Sequence, residues 1–156
     1  MNLYLEVKMK IEEVQATEII INQLIEFSKD WESENICYGY RANNSSDIEG
    51  NRIFIAMDGE SIIGYLLGNF TKSKNMKAIM PENTPFFEVE ELYVIPSCRS
   101  QGIGASLFNY VAETVNSNAD YIVLSTATKN WRSVFHFYID ELEMNFWSAR
   151  LYKKIR

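Results

Sequence analysis

The chain has 156 residues, 47% of them apolar and 23% charged, with a net charge of −6 and a pI near 4.9; this fits one globular domain over residues 1–156 and excludes a disordered or fibrous protein. The acidic balance repels phosphate backbones, so nucleic acid is excluded as an expected partner and a cationic ligand is favoured. Cys37 and Cys98 lie far apart without metal-ligand spacing, residues 1–13 lack a basic start before an apolar core, and no apolar run nears the roughly 18 residues that span a bilayer; the expectation is a cytoplasmic protein without metal or membrane partner.

Residues 4–9 read as a first strand. In 16–31, Ile20, Leu24, Phe27 and Trp31 share one helical face with Ile21 and Ile25 beside them, the pattern of an amphipathic helix. Residues 32–51 mix aromatics with acids, Asn and Ser, and hold at most a second short helix. "RIFIAM" (52–57) and "SIIGYLLGNF" (61–70) flank Asp58-Gly59-Glu60, a hairpin turn whose left-handed position wants glycine. A polar loop with Lys72, Lys74 and Lys77, closed by Pro81 and Pro85, leads into "FFEVEELYVI" (86–95), again a strand. Ile103, Leu107, Phe108, Val111 and Val115 have helical spacing over 102–117, and "YIVLSTA" (121–127) follows as a buried strand, which makes a βαβ unit with two parallel strands. A helix over 131–141 and a last alternating strand, "NFWSARLYKKI" (145–155), end the reading.

The stretch between the strand at 86–95 and the next helix carries the first chemistry. Pro96 cannot donate to a sheet ladder and ends the strand, and "SCRSQ" then delivers the chain to a helix whose first turn holds Gly102 and Gly104. Free amides at a helix start, glycines that admit close approach and the charge of Arg99 suit a pyrophosphate. The plain alternative is that the two glycines only allow tight packing of helix on sheet. No lysine follows Gly104, which disfavours a P-loop, and Leu107 stands where a dinucleotide fold needs its third glycine.

Read as Arg99-Ser100-Gln101-Gly102-Ile103-Gly104-Ala105 and preceded by "LYV" at 92–94, the stretch resembles the [QR]-x-x-G-x-[GA] signature of the GNAT superfamily of N-acetyltransferases. The order of elements is similar to that family's along essentially the whole chain. The resemblance implies an α/β (α+β) fold, with a mixed, mostly antiparallel central sheet, one parallel βαβ unit and helices on both faces. It implies acetyl-CoA as cosubstrate, its pyrophosphate on the backbone of residues 99–105 and its pantetheine arm beside Tyr93 and Val94, and direct transfer of the acetyl group to a primary amine. The two cysteines are then bystanders. His136, with Arg132 and Asp140 four residues to either side, belongs to a solvated helical face.

Direct transfer asks for a base that takes a proton from the acceptor ammonium, and Glu88, Glu90 and Glu91 are the candidates. Strand alternation puts Glu88 and Glu90 on one face and Glu91 on the other; the order of preference is Glu90, then Glu88, then Glu91, against the alternative that all three are ordinary solvated strand residues. Crowded carboxylates should bind protons more tightly. The amide of Val94 is the expected oxyanion donor. Tyr138 matches the helix tyrosine that the family uses to protonate the departing thiolate, although Val134, Tyr138 and Leu142 also form an apolar stripe in which a tyrosine can simply pack.

Two departures stand out. The family's asparagine seven residues before the tyrosine is Trp131 here, with Asn130 one position further away as the substitute cofactor contact. The family's "LGF" is Leu142-Glu143-Met144, with an extra residue before it. Asp30, Glu32, Glu34, Asp47 and Glu49, with Tyr38 and Tyr40, fall where the family walls its acceptor cleft and can hold a cation or merely face solvent. The rival readings are a catalytically silent acyl-CoA sensor or partner-binding domain on the same fold, and a nucleotide-binding domain of unrelated function. Monomer and homodimer both remain open.

Overall fold

The structure, a computed structural model, describes residues 9–156. Five strands form one sheet in chain order: β1 (Met9–Val14), β2 (Arg52–Asp58), β3 (Ser61–Lys72), β4 (Pro85–Val94) and β5 (Tyr121–Leu124). β1 to β4 are antiparallel to their neighbours, and β4 and β5 are parallel, joined across one face by α3 (Ile103–Val115). Gly59 makes the β2–β3 turn at φ 60°, the left-handed backbone expected of that position. The expected mixed sheet and its parallel unit are both present.

Each face of the sheet has its own core, because inward positions alternate along every strand. On one side Ile103, Leu107, Val111 and Val115 of α3 pack on Phe54, Ala56, Leu66, Phe87 and Val89. On the other, Ile21 and Leu24 of α1 (Glu18–Glu34) and Ile48 of α2 (Ser45–Glu49) pack on Ile53, Ile55, Tyr65, Leu67 and Tyr93. Thr17 starts α1 by accepting the Ile20 amide at 3.3 Å, and Asn44 and Asp47 cap α2 reciprocally. α2 is the short helix expected in the polar stretch.

The pairing of β3 with β4 skips one residue. Leu67 opposes Glu91 and Gly68 opposes Val89, so Glu90 is an extra, unpaired residue, a β-bulge. Gly68 is the position that tolerates it: a Cβ there would lie 2.5 Å from the Glu88 carbonyl oxygen and 2.5 Å from the Phe87 ring.

Three expectations need correction, and a fourth, the strand over 4–9, lies almost wholly outside the described residues. Of the expected strand over 4–9 only Met9 falls within the described residues, and β1 continues to Val14, where "KIEEV" pairs with β2. β5 stops at Leu124; beyond it only Thr128 bridges, to Cys37, which ties the loop after β5 to the loop after α1. The helix over 131–141 is α4 (Trp131–Phe135) running into a π turn over His136–Glu141, closed by Leu142 N–H to Phe137 C=O at 3.0 Å. A π turn holds one more residue than an α turn, and so takes up the extra residue that precedes Leu142. Glu143 then adopts φ 57°, where the resemblance would put a glycine. The last strand does not form: 145–156 has no strand pairing and every residue in it is exposed.

Two substitutions test this backbone. Gly68→Ala should lose about 2–3 kcal/mol through overpacking against β4, whereas Glu143→Gly should gain about 1 kcal/mol by relieving a left-handed non-glycine residue. Urea denaturation of both reads the signs directly, and a neutral Gly68→Ala would contradict the close approach at the bulge.

Candidate active site

The bulge changes which glutamates meet. Phe87 and Val89 are buried on the α3 face, which leaves Glu88 and Glu90 to the opposite side, and the extra residue brings Glu91 round to join them. Glu90 and Glu91 together line a cleft of about 220 Å³ with Asn43, Asp47, Asn51 and Leu67. The separation of Glu91 from the other two carboxylates, expected from strict alternation, is therefore corrected by one inserted residue.

Glu91 is the best held of the three. Its Oε1 accepts from the Tyr40 hydroxyl at 3.3 Å and from Asn43 Nδ2 at 2.9 Å, and its Oε2 from Asn43 Nδ2 at 2.9 Å and the buried Tyr65 hydroxyl at 2.8 Å. Burial pushes its carboxyl above the ordinary range, while these donors pull it back down. Tyr65 and Tyr40 are pushed far upward in turn, chiefly by burial and then by the charge of Glu91. Glu88 is raised too, by partial burial and then by the charge of Glu90. Glu90 is exposed and makes no side-chain hydrogen bond among the described residues.

Asn43 is held from beneath. Its backbone amide donates to the hydroxyl of the buried Ser28 in α1 at 2.9 Å, and Ser28 donates to Ile25 C=O at 2.7 Å. Arg41 makes a two-armed contact with Asp47 at 2.8 and 3.0 Å, which holds that carboxyl down at about 2. Trp31 lies against Tyr40 with ring centroids 4.5 Å apart and continues into Tyr93 and Tyr65. Asp47 and Tyr40 were expected near this wall. Asn43, Asn51, Ser28 and Tyr65 were not, since nothing in their local sequence separates them from ordinary loop and strand residues. Among the other acids named for this wall, Asp30, Glu32 and Glu49 do not line the cleft.

The second half of the site lies further along β4. β4 pairs with β5 only from Phe86 to Val89, so the two strands part at the bulge and leave the edge from Glu90 to Val94 open. Ile95 N–H donates to Ile63 C=O of β3 at 3.0 Å, and backbone groups alternate sides along a strand, so the N–H and C=O of Val94 face the opening. That carbonyl accepts Arg99 Nε at 2.8 Å. The chain then turns through Ser100 (φ 61°) and Gly102 (φ 82°) into α3, whose first internal hydrogen bond is Ser106 N–H to Gly102 C=O at 3.0 Å. The amides of Ile103, Gly104 and Ala105 precede it, and with those of Gln101 and Gly102 they have no backbone partner among the described residues.

The two glycines divide the two roles that the sequence left open. A Cβ on Gly102 would meet nothing within 4 Å, so that position is open, whereas one on Gly104 would lie 3.3 Å from the Phe137 ring of the π turn. Arg99 points away from the free amides: its guanidinium grips Glu34 at the end of α1 at 2.5 and 2.8 Å and lies 5.4 Å over the Tyr93 ring. Gln101 Nε2 reaches back to Ser97 C=O at 3.4 Å. Tyr138 is half-buried against Phe108 and Phe137, with its hydroxyl pushed up to about 12 by burial and then by the neighbouring Cys37. Asn130 sits at the start of α4 without a side-chain capping bond. His136 pairs with Asp140 at 2.8 Å and Glu141 at 3.4 Å on an exposed face. Among the described residues no helix is long and apolar enough to cross a membrane.

A free-amide helix start beside two parting parallel strands fits a pyrophosphate-bearing, extended ligand. Solved structures share this architecture. The aminoglycoside acetyltransferase meta-AAC0020 from an uncultured soil metagenomic sample, in complex with sisomicin, is 15% identical with a TM-score of 0.69, covering 95% of this chain and 97% of its own. AAC(6')-Iy in complex with the bisubstrate analogue CoA-S-monomethyl-acetylneamine is 15% identical with a TM-score of 0.67, over 95% and 98%. A transcriptional regulator from Bacillus halodurans C-125 is 21% identical with a TM-score of 0.70, over 94% and 99%. No curated protein matches the sequence. The sequence model of the acetyltransferase (GNAT) family matches residues 20–139, and with most of its length inside that match the chain belongs to the GNAT acetyltransferases, which use acetyl-CoA.

Proposed function

We propose that the protein is an N-acetyltransferase that moves an acetyl group from acetyl-CoA to a primary amine of a cationic small molecule. The observation that carries this is on β4: within five residues it presents an acidic cleft wall, Glu90 and Glu91, and an outward-facing Val94 amide, and then runs directly into a helix start with free amides. Acetyl-CoA, when bound, supplies an activated thioester carbonyl. The amides from Gln101 to Ala105 would hold its pyrophosphate, with Ser100 and Gly102 shaping the turn and Arg99 bracing the loop through Glu34 rather than touching phosphate. The exposed β4 edge at Tyr93 and Val94 would hold its arm, and Asn130 remains the candidate side-chain contact at the start of α4.

Three chain groups take the chemical roles. Glu90, in the cleft and without a hydrogen-bond partner, takes the acceptor proton directly or through water, with Glu88 next to it as the second candidate. Glu91, whose two oxygens already accept four hydrogen bonds, is a positioning residue that fixes Asn43 and Tyr40. The Val94 amide stabilises developing oxyanion charge, and Tyr138, protonated at neutral pH, returns a proton to the thiolate. The stacked Trp31 and Tyr40 with Glu90, Glu91 and Asp47 suit an ammonium, one structural relative is an aminoglycoside acetyltransferase and another is in complex with a CoA–acetylneamine bisubstrate analogue, so aminoglycosides and polyamines are the first acceptors to try.

A thermal-shift titration with acetyl-CoA, CoA, ATP and NADH tests the donor site. Stabilisation of roughly 2.7 kcal/mol by the CoA species at about 100 times Kd is expected, and equal stabilisation by ATP would overturn it. With an acceptor in hand, Glu90→Gln should lower kcat about 10²–10⁴-fold and remove the acid limb of the pH–rate profile; an unchanged profile moves the base to Glu88. Tyr138→Phe should lower kcat and leave acetyl-CoA affinity in place.

Glu91→Gln should keep the acid limb and raise KM. Its stability has a separate signature. The folded carboxyl binds its proton more tightly than an ordinary one, so its contribution is full below the ordinary value of 4.5 and is lost as pH rises through the raised folded value. Across that window wild type should lose stability relative to Glu91→Gln in denaturation curves.

A further inference from the structure

The three carboxylates that line the cleft differ in what already holds them. Glu91 accepts four hydrogen bonds and Glu90 makes none among the described residues, whereas Asp47 is paired with a cation that the chain itself supplies. Arg41 Nη1 donates to Asp47 Oδ2 at 2.8 Å and Nη2 to Oδ1 at 3.0 Å, the forked grip of a guanidinium on a carboxylate. A positive charge is thus lodged on the acidic wall.

Asp47 does not need Arg41 to stay in place. Its Oδ2 also accepts the Asn44 amide at 2.8 Å, and its own amide donates to Asn44 Oδ1 at 3.2 Å, so the reciprocal cap of α2 orients the carboxylate by itself. Arg41 stands largely in solvent. Its side chain is 64% exposed against 28% for Asp47, and its other hydrogen bond among the described residues is Nη1 to the adjacent Ala42 C=O at 3.1 Å. An ion pair this exposed adds little to stability. What the guanidinium brings is charge and occupancy: it is pushed above its ordinary value by Asp47 first and then by Glu91, so it stands in the field of both, and it is the one donor on Asp47 Oδ1 among the described residues.

Ligands with one and with two ammonium groups therefore meet different walls. A single ammonium finds Glu90 unpartnered. A second one, inside a cleft of about 220 Å³, has Asp47 as the next carboxylate with an oxygen to offer, because the oxygens of Glu91 are taken, and to reach it the ammonium must displace the guanidinium.

Resting on the reading of this cleft as the acceptor site, we propose that Arg41 is a specificity-determining residue, a resident cation that competes with a second ammonium of the acceptor for Asp47. It lowers the affinity of diamines and polyamines relative to monoamines and so sets how far the cleft favours multiply charged acceptors. The reacting amine at Glu90 is untouched, so Arg41 acts on the choice of acceptor and not on the chemical step.

Ligand-observed NMR titrations with cadaverine and hexylamine, amines of equal heavy-atom count that carry two charges and one, test this on the full chain. Arg41→Gln should lower the Kd of cadaverine about threefold to tenfold more than that of hexylamine. Arg41→Lys, which keeps the charge and loses the fork, should fall between Arg41→Gln and wild type. Lys10→Gln makes the same change of net charge on β1, at the other edge of the sheet, and should leave the ratio as in wild type. A ratio that Arg41→Gln does not move, or that Lys10→Gln moves equally, would overturn the proposal. Glu90→Gln tells the two failures apart. If it weakens both amines while Arg41→Gln leaves their ratio unchanged, the acceptor cleft stands and the role of Arg41 falls; if it weakens neither, or wild type binds neither, the acceptor reading falls and the role of Arg41 falls with it.

Discussion

One inserted residue organises this molecule. At Glu90 the β3–β4 ladder takes up a residue that has no partner, and a bulged strand both bends and twists more sharply. The bend is where β4 parts from β5, and the insertion is also what turns Glu91 to the side of Glu88 and Glu90. The opened edge and the acidic wall are therefore two results of the same local irregularity, and Gly68 is its necessary counterpart on the neighbouring strand, since any side chain there would strike the β4 backbone. A regular strand of the same composition would have put Glu91 on the face opposite Glu88 and Glu90.

From that point the site divides by physical type. In the acidic cleft, charge and hydrogen bonding dominate: a carboxylate with four accepted hydrogen bonds, a second held ionised by Arg41, and aromatic rings between them. At the start of α3, backbone dominates instead, through amides that a helix start cannot satisfy internally. Arg99 illustrates the difference. Its charge is neutralised by Glu34 and its Nε is taken by Val94 C=O, so it contributes shape to the loop, tying the end of β4, the signature turn and the end of α1 together.

Much of this was legible in the residues. The periodicity of α1 and α3, the Gly59 turn and the strand–loop–helix around Gly102 follow local rules of spacing and turn chemistry, and the structure holds all of them. What was missed is non-local. "FFEVEELYV" alternates as any strand does, and only its partner, through Gly68, reveals that a residue is supernumerary. Asn43 and Ser28 look like solvated residues until the loop after α1 folds back and brings them under Glu91. The π turn arises because one residue too many precedes Leu142, a count that helical periodicity alone does not register. "NFWSARLYKKI" has the composition of a strand but lacks a partner within the described chain, and strand formation depends on pairing more than on propensity.

The hydrogen bond from the Asn43 amide to Ser28 has a thermodynamic meaning beyond its strength. It pins the cleft wall to the core-facing side of α1, while the Asn43 side chain is pinned to Glu91 and the following turn is locked by the Asn44–Asp47 cap. Three anchors within five residues mean that the conformational entropy of this wall is surrendered when the chain folds, not when a ligand arrives. A ligand entering this cleft would meet a rigid rim, and discrimination between ligands would fall to shape and charge placement rather than to a loop that closes around whatever is bound.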